Sequence, residues 1–233
     1  GLIYQTGLGR APDLITAQSW FIKAAEKFYE KSEQGDSNSQ HMLGLCYKTG
    51  RGIRQDDNEA IACFEKAALQ KNTFAQYQLG LIYEKQKQIE RPKSFYRQSA
   101  EQGYSLAQYA LGLILSKEKT TVFFGASYHQ QALDWFRKAA EQDLSLAQRK
   151  IATYYRKGLG GLPVDEHQAD DWLQKAIDTE KLNPSSHQPI VDETTAENYF
   201  RQGELFNDDL NTPPNDRRRA ACWLIAAQKN HPF

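Results

Sequence analysis

Five histidines, His41, His129, His167, His187 and His231, are the residues to weigh first for metal chemistry. A zinc site on a helix needs two ligands one turn apart, and none of the five has another histidine three or four residues on. Cys46, Cys63 and Cys222 contain no CxxC pair and are odd in number, which removes zinc-ribbon and thioredoxin-like chemistry. They read as small core residues, with a Cys46–Cys63 disulfide across a helical hairpin as the alternative. Glycine pairs could cradle a phosphate, but TGLG at Thr6, TGRG at Thr49 and KGLGG at Lys157 have no following GK[ST] and no preceding strand. GxSxG and HExxH do not occur. Asp13, Asp56 and Asp165 could serve acid–base chemistry, yet each stands four residues before an alanine, Ala17, Ala60 and Ala169. That place suits a helix N-cap, whose carboxylate accepts the orphan N–H groups of the first turn, and Asn215 is the fourth candidate. No enzyme, no cofactor and no metal are expected.

The glycines and aspartates recur because the whole chain does. TFAQYQLGLIYEK from Thr73, SLAQYALGLILSK from Ser105 and SLAQRKIATYYRKG from Ser145 are three copies of one block, and NSQHMLGLCYKTGRG from Asn38 is a fourth. A second block follows each: AQSWFIKAA from Ala17, IACFEKAAL from Ile61, KSFYRQSAE from Lys93, ALDWFRKAA from Ala132, DDWLQKAID from Asp170 and ACWLIAAQK from Ala221. A small residue marks the first block at Gly1, Gly44, Gly80, Gly112 and Ala152. An aromatic or cysteine marks the second at Trp20, Cys63, Phe95, Trp135, Trp172 and Cys222. Both recur at about 40 residues, a period that signals stacked helical hairpins.

Each block has helical periodicity. Ala132, Trp135, Phe136, Ala139 and Ala140 form an amphipathic stripe, and Ala107, Leu111 and Leu115 lie four apart beside Gly112. Glycine lets two helix backbones approach, and the marked aromatics are expected to fill the space as core residues. Ala25 to Ser39 is long enough to extend the first repeat's second helix by two turns. Gln86–Glu90 replaces the glycine pair, so that hairpin should be tight, with Arg91–Pro92 opening its second helix. Lys117–Ser127 is a longer joint carrying Val122–Phe123–Phe124. A loop marked by Asn183–Pro184 and Gln188–Pro189 precedes a degenerate last copy with Arg201 near the glycine position.

In order, the pattern is A-x-x-x-L-G-x-x-Y, G-x-G, D-x-x-x-A-x-x-W/F, K-A-A, clearest over 38–68 and close over 1–25 and 145–177. It resembles the Sel-one-like repeat, a relative of the tetratricopeptide repeat with a longer loop between its helices. The resemblance implies an all-α fold, an α/α superhelix or solenoid of about six tetratricopeptide-like helix-turn-helix repeats, the first truncated. The repeats fall at about 1–37, 38–72, 73–104, 105–144, 145–184 and 194–233, as one solenoid. Gly1-Leu2-Ile3-Tyr4 matches Gly44-Leu45-Cys46-Tyr47, so the chain is expected to be a fragment of a longer array. Family members are adaptors and scaffolds, in bacterial host-interaction and envelope proteins and in eukaryotic quality-control complexes.

Composition agrees with a folded binding protein. Hydrophobic residues make up 40% and charged residues 25%, with 29 basic and 29 acidic side chains. The balance argues against a nucleic-acid partner, and no apolar run is long enough for membrane insertion. A monomer is favoured, in a soluble form that suits secretion or a bacterial periplasm.

By analogy with the related hairpin, the position three before the small landmark, and those one and four after it, should face a concave groove. They are His41, Leu45 and Lys48; Tyr77, Leu81 and Glu84; Tyr109, Leu113 and Ser116; and Arg149, Thr153 and Arg156. The partner-binding set is therefore His41, Lys48, Tyr77, Glu84, Tyr109, Arg149, Arg156 and the adjacent Lys157. Aromatic and arginine side chains anchor interfaces, and the arginines would suit an acidic segment or a C-terminal carboxylate. Packing between hairpins is the alternative for the tyrosines. Arg217, Arg218 and Arg219 read as a solvated face or a contact for an acidic partner. The function expected is a protein–protein interaction adaptor or scaffold. The alternative is a structural spacer or assembly segment of a larger bacterial envelope or secreted host-interaction protein.

Overall fold

Five of the described helices start at a side chain that accepts a free N–H group of the first turn. The computed structural model describes residues 13–88, 90–118 and 128–182. Asp13 caps α1 (Leu14–Glu33), accepting from the Thr16 N–H at 2.9 Å. Asp36 caps α2 (Ser37–Thr49) through the Ser39 N–H at 2.8 Å. Asp56 caps α3 (Asp57–Leu69) through the N–H groups of Asn58 and Glu59. Asn72 accepts from the Ala75 N–H at 3.0 Å at the start of α4 (Thr73–Lys85). The remaining described helices are α5 (Glu90–Glu101), α6 (Ser105–Lys117), α7 (Tyr128–Ala140), α8 (Ser145–Lys157) and α9 (Glu166–Leu182). Asp165 accepts from the Gln168 N–H ahead of α9, so the three aspartates expected to cap helices all do so. The described residues hold no strand, and the fold class is all-α.

First and second helices alternate, and the helix lengths follow the sequence blocks. α1 has 20 residues where α3 and α7 have 13, which is the two-turn extension expected between Ala25 and Ser39. α4 and α5 are joined by four residues, as the missing glycine pair requires. Pro92 sits in the first turn of α5, where its absent N–H costs no hydrogen bond. The Lys117–Ser127 joint beyond Glu118, the TGLG turn, Asn215, Arg217–Arg219 and the last repeat lie outside the described residues.

Glycine pairs close the α2–α3 and α8–α9 hairpins. Gly50 and Gly158 end α2 and α8 in the left-handed region at φ 69° and 62°. The second glycine of each pair lets the loop cross the preceding second helix. A Cβ on Gly52 would lie 2.1 Å from the Phe21 carbonyl oxygen, and one on Gly160 would lie 2.9 Å from that of His129. Only a residue without Cβ fits either place.

Described residues up to Ala75 belong to one compact unit and those from Gln76 to a second. In the first, α1 packs on α2 and α2 on α3. In the second, α5 packs on α6, α6 on α7, α7 on α8 and α8 on α9.

Candidate partner-binding surface

The packing inside a hairpin repeats with one ring per repeat. A Cβ on Gly44 would lie 2.6 Å from the Phe64 ring, one on Gly80 2.4 Å from Tyr96, and one on Gly112 2.6 Å from Phe136. Phe64, Tyr96 and Phe136 are fully buried. Each stands one residue after the aromatic or cysteine that marks its block; the marker Cys63 is buried as expected, and the expected core row is corrected at the aromatic markers, none of which is fully buried. Adjacent helix positions differ by about 100°, so when one ring points at the glycine its neighbour points away. Trp20 is 49% exposed, while Trp135 and Trp172 are half-buried. A lysine one turn on lies over each indole: Lys23, Lys138 and Lys175, at 5.1, 4.1 and 5.1 Å from the ring centroids. Cys63 is buried, Cys46 half-buried, and both are free thiols whose pKa burial pushes up to about 11.

The same rings take in the residues expected to line a groove. His41 is 1% exposed, with its imidazole 5.7 Å from the Phe64 ring and 5.9 Å from Phe74. Burial, reinforced by Lys48, drops its pKa to about 3. Tyr77 packs against Tyr96 and Tyr104, and Tyr109 against Phe136. Burial raises the pKa of both phenols. These three residues are walls of the ring's socket, not exposed anchors. The position three before the glycine lies one turn away on the same face, so a ring seated on the glycine also touches it.

Arg149 occupies the equivalent place on α8, and the second helix has Leu173 in place of a ring at the position matching Phe64, Tyr96 and Phe136. Its guanidinium instead makes a two-pronged ion pair with Glu180, at 2.9 and 2.6 Å, and this contact raises its pKa. Arg156 bridges Glu166 at 3.1 Å and Asp170 at 2.8 Å on α9. Both arginines thus already bind carboxylates of their own hairpin. Glu84 is exposed and accepts the Tyr96 hydroxyl at 2.7 Å, Lys48 is half-buried, and Lys157 is exposed.

Within the second unit, outward positions on α4, α6 and α8 remain in register. Leu81, Leu113 and Thr153 are half-buried, one residue after the small landmark. Lys85, Lys117 and Lys157 are exposed, five after it, at the carboxyl ends of the three helices. Lys85 and Lys117 were not singled out from sequence, although their spacing from the landmark matches that of Lys157.

A second row was also missed: Gln40, Gln76, Gln108 and Gln148, each four before the landmark. Three of them donate to a carbonyl of the preceding second helix: Gln40 to Ser32, Gln108 to Ala100 and Gln148 to Ala140. Gln70, Gln102 and Gln142, at the ends of second helices, donate to the Oε1 atoms of Gln40, Gln76 and Gln108 at 2.8, 2.7 and 2.9 Å. These rungs give the stack a fixed polar register. Among the described residues no group of three or more His, Cys, Asp or Glu side chains could hold a metal ion.

The hairpin motif can be matched against known families. The Sel1 repeat model matches residues 1–27, 37–72, 73–104, 105–144 and 145–178. The chain belongs to the Sel1 repeat family. The chain is also similar to part of DAP3-binding cell death enhancer 1 of Rattus norvegicus, 36% identical over 61 residues, 26% of this chain and 12% of that protein. The mouse protein of the same name is 31% identical over 61 residues, again 12% of its length. The chain therefore spans a small part of these relatives. A solved Sel1 repeat protein from Oxalobacter formigenes matches 99% of this chain and 83% of its own at 21% identity, with a TM-score of 0.59, which supports the helical-repeat solenoid fold. No described helix is long and apolar enough to cross a membrane.

Proposed function

We propose that this Sel1 repeat chain is a non-catalytic adaptor that holds a protein or peptide in the groove its first helices line. The observation that carries the reading is the register of α4, α6 and α8. Each presents a half-buried side chain, Leu81, Leu113 or Thr153, and one turn on an exposed lysine, Lys85, Lys117 or Lys157. Two leucines and a threonine at regular spacing, each followed by positive charge, fit an extended segment with acidic side chains. Buried rings and glutamine rungs keep these positions fixed, so little ordering cost falls on the adaptor when it binds. Interaction is a typical role of the family. The rat relative is DAP3-binding by name, and the 61 residues shared with it lend an interaction role to this chain, though not that partner.

Capture from the native organism tests the reading. Lys85→Glu, Lys117→Glu and Lys157→Glu together are expected to weaken the captured partner's binding at least tenfold, more strongly at low salt. The control, Arg137→Glu with Lys138→Glu on the second-helix side, should bind normally. Full binding by the triple variant would refute the first-helix face. The spacer or assembly reading has its own support in the outward face of α1.

A further inference from the structure

Outward positions on the second helices can be compared repeat by repeat. Two residues before Ala17, Ala60, Pro92, Ala132 and Ala169 stand Ile15, Asn58, Glu90, Gln130 and His167. Five residues after them stand Ile22, Glu65, Arg97, Arg137 and Gln174. Gln130 is half-buried and the other polar residues are exposed. α7 keeps Arg137 exposed although α6 and α8 both pack on it, so contact between hairpins does not use this face. On α1 the same positions are apolar and open, with Ile15 86% and Ile22 39% exposed.

The two-turn extension of α1 adds to this face. Tyr29, 52% exposed, lies in it, seven residues beyond Ile22 as Ile22 lies seven beyond Ile15. Gln18 and Glu26 are exposed between them. The five residues make one stripe about 21 Å long at 1.5 Å per residue. Three open apolar side chains at seven-residue spacing, interleaved with polar ones, mark a contact surface.

The stripe complements itself. With a second copy antiparallel about an axis through Ile22, Ile22 meets its own equivalent and Ile15 meets the partner's Tyr29. Gln18 then faces the partner's Glu26, amide donor to carboxylate acceptor. Ser19, small and exposed, lets the helices approach. We propose that two copies of this chain pair antiparallel through α1, with Ile22 on the two-fold axis. Such an interface is isologous and closes at two. One helix pair buries less than the ~1,200–2,000 Å² of a stable complex, so the pairing is weak and depends on concentration. The monomer favoured by the sequence is then the dilute state.

Cysteine crosslinking tests the pairing, with the wild-type chain as reference for its native thiols. Ile22→Cys should oxidise to a covalent dimer at about 0.2 mM protein, a concentration that populates weak complexes. Ile15→Cys should crosslink to Tyr29→Cys when the two are mixed, and poorly to itself. In sedimentation velocity, the wild-type mass should rise between about 10 and 500 μM, and Ile22→Lys should stay monomeric. The proposal is overturned if the wild type stays monomeric and Ile22→Cys crosslinks no more than wild type. It is also overturned if Ile15→Cys pairs with itself as readily as Ile22→Cys does. A lowered melting temperature for Ile22→Lys with no change in mass would contradict it too, since the face would then be covered by its own chain.

Discussion

The ring seated on each first-helix glycine leaves no room for a Cβ. Gly112→Ala would gain about 1 kcal/mol of helix propensity, yet its Cβ would fall 2.6 Å from Phe136, whose ring is fully buried. Overpacking costs about 1–3 kcal/mol, so the substitution should lower the melting temperature, and Gly112→Leu should lower it further. An unchanged melting temperature for both would contradict the ring-on-glycine contact. Tyr77→Ala and Tyr109→Ala should each destabilise by about 3–5 kcal/mol in chemical denaturation, since both side chains are buried. His41 gives the fold a pH dependence. Its folded pKa is depressed from 6.5 to about 3, so the unfolded chain takes up a proton below pH 6.5 and the folded chain does not. Stability is therefore lost as pH falls from 6.5 towards 3, by on the order of 2 kcal/mol at pH 5. His41→Phe should flatten that part of the stability curve, and a curve of unchanged slope would contradict a buried neutral imidazole.

Between helices, the glutamine rungs end at α9. Where Gln70, Gln102 and Gln142 complete three rungs, α9 has Thr179, and the buried Oε1 of Gln148 has no hydrogen-bond partner among the described residues. Arg149–Glu180 clasps that hairpin with charge instead. Thr179→Gln should stabilise the chain by about 1 kcal/mol, and should gain nothing in a Gln148→Leu background. Equal gains in both backgrounds would show that the new amide bonds elsewhere. The helices themselves were legible in the sequence because caps, glycine turns and apolar periodicity are local. Asp13, Asp56, Asp165, Gly50 and the α1 extension follow from residue type and spacing alone. The socket was less legible. Period alone cannot tell which of two adjacent aromatics, Trp135 or Phe136, turns inward, because that depends on the azimuth of the partner helix. Groove residues His41, Tyr77 and Tyr109 were placed by analogy, and they lie inside because this chain's glycines draw a ring over them. Arg149 and Arg156 were legible as charges but not as ion pairs, since Glu180, Glu166 and Asp170 are brought to them by the fold.

Across the chain, repetition places similar side chains at fixed intervals, and a partner held as proposed would read several repeats at once. Far-UV circular dichroism should show a helical protein, and strand content above about a quarter would contradict the repeat fold. On the proposed function, the first helices present the binding face, and hydrogen exchange on the chain with and without its captured partner would locate it. Slowed exchange is predicted at the carboxyl ends of α4, α6 and α8, around Leu81–Lys85, Leu113–Lys117 and Thr153–Lys157, with α5, α7 and α9 little changed on their outward sides. Protection confined to α5, α7 and α9, or to α1 alone, would contradict it.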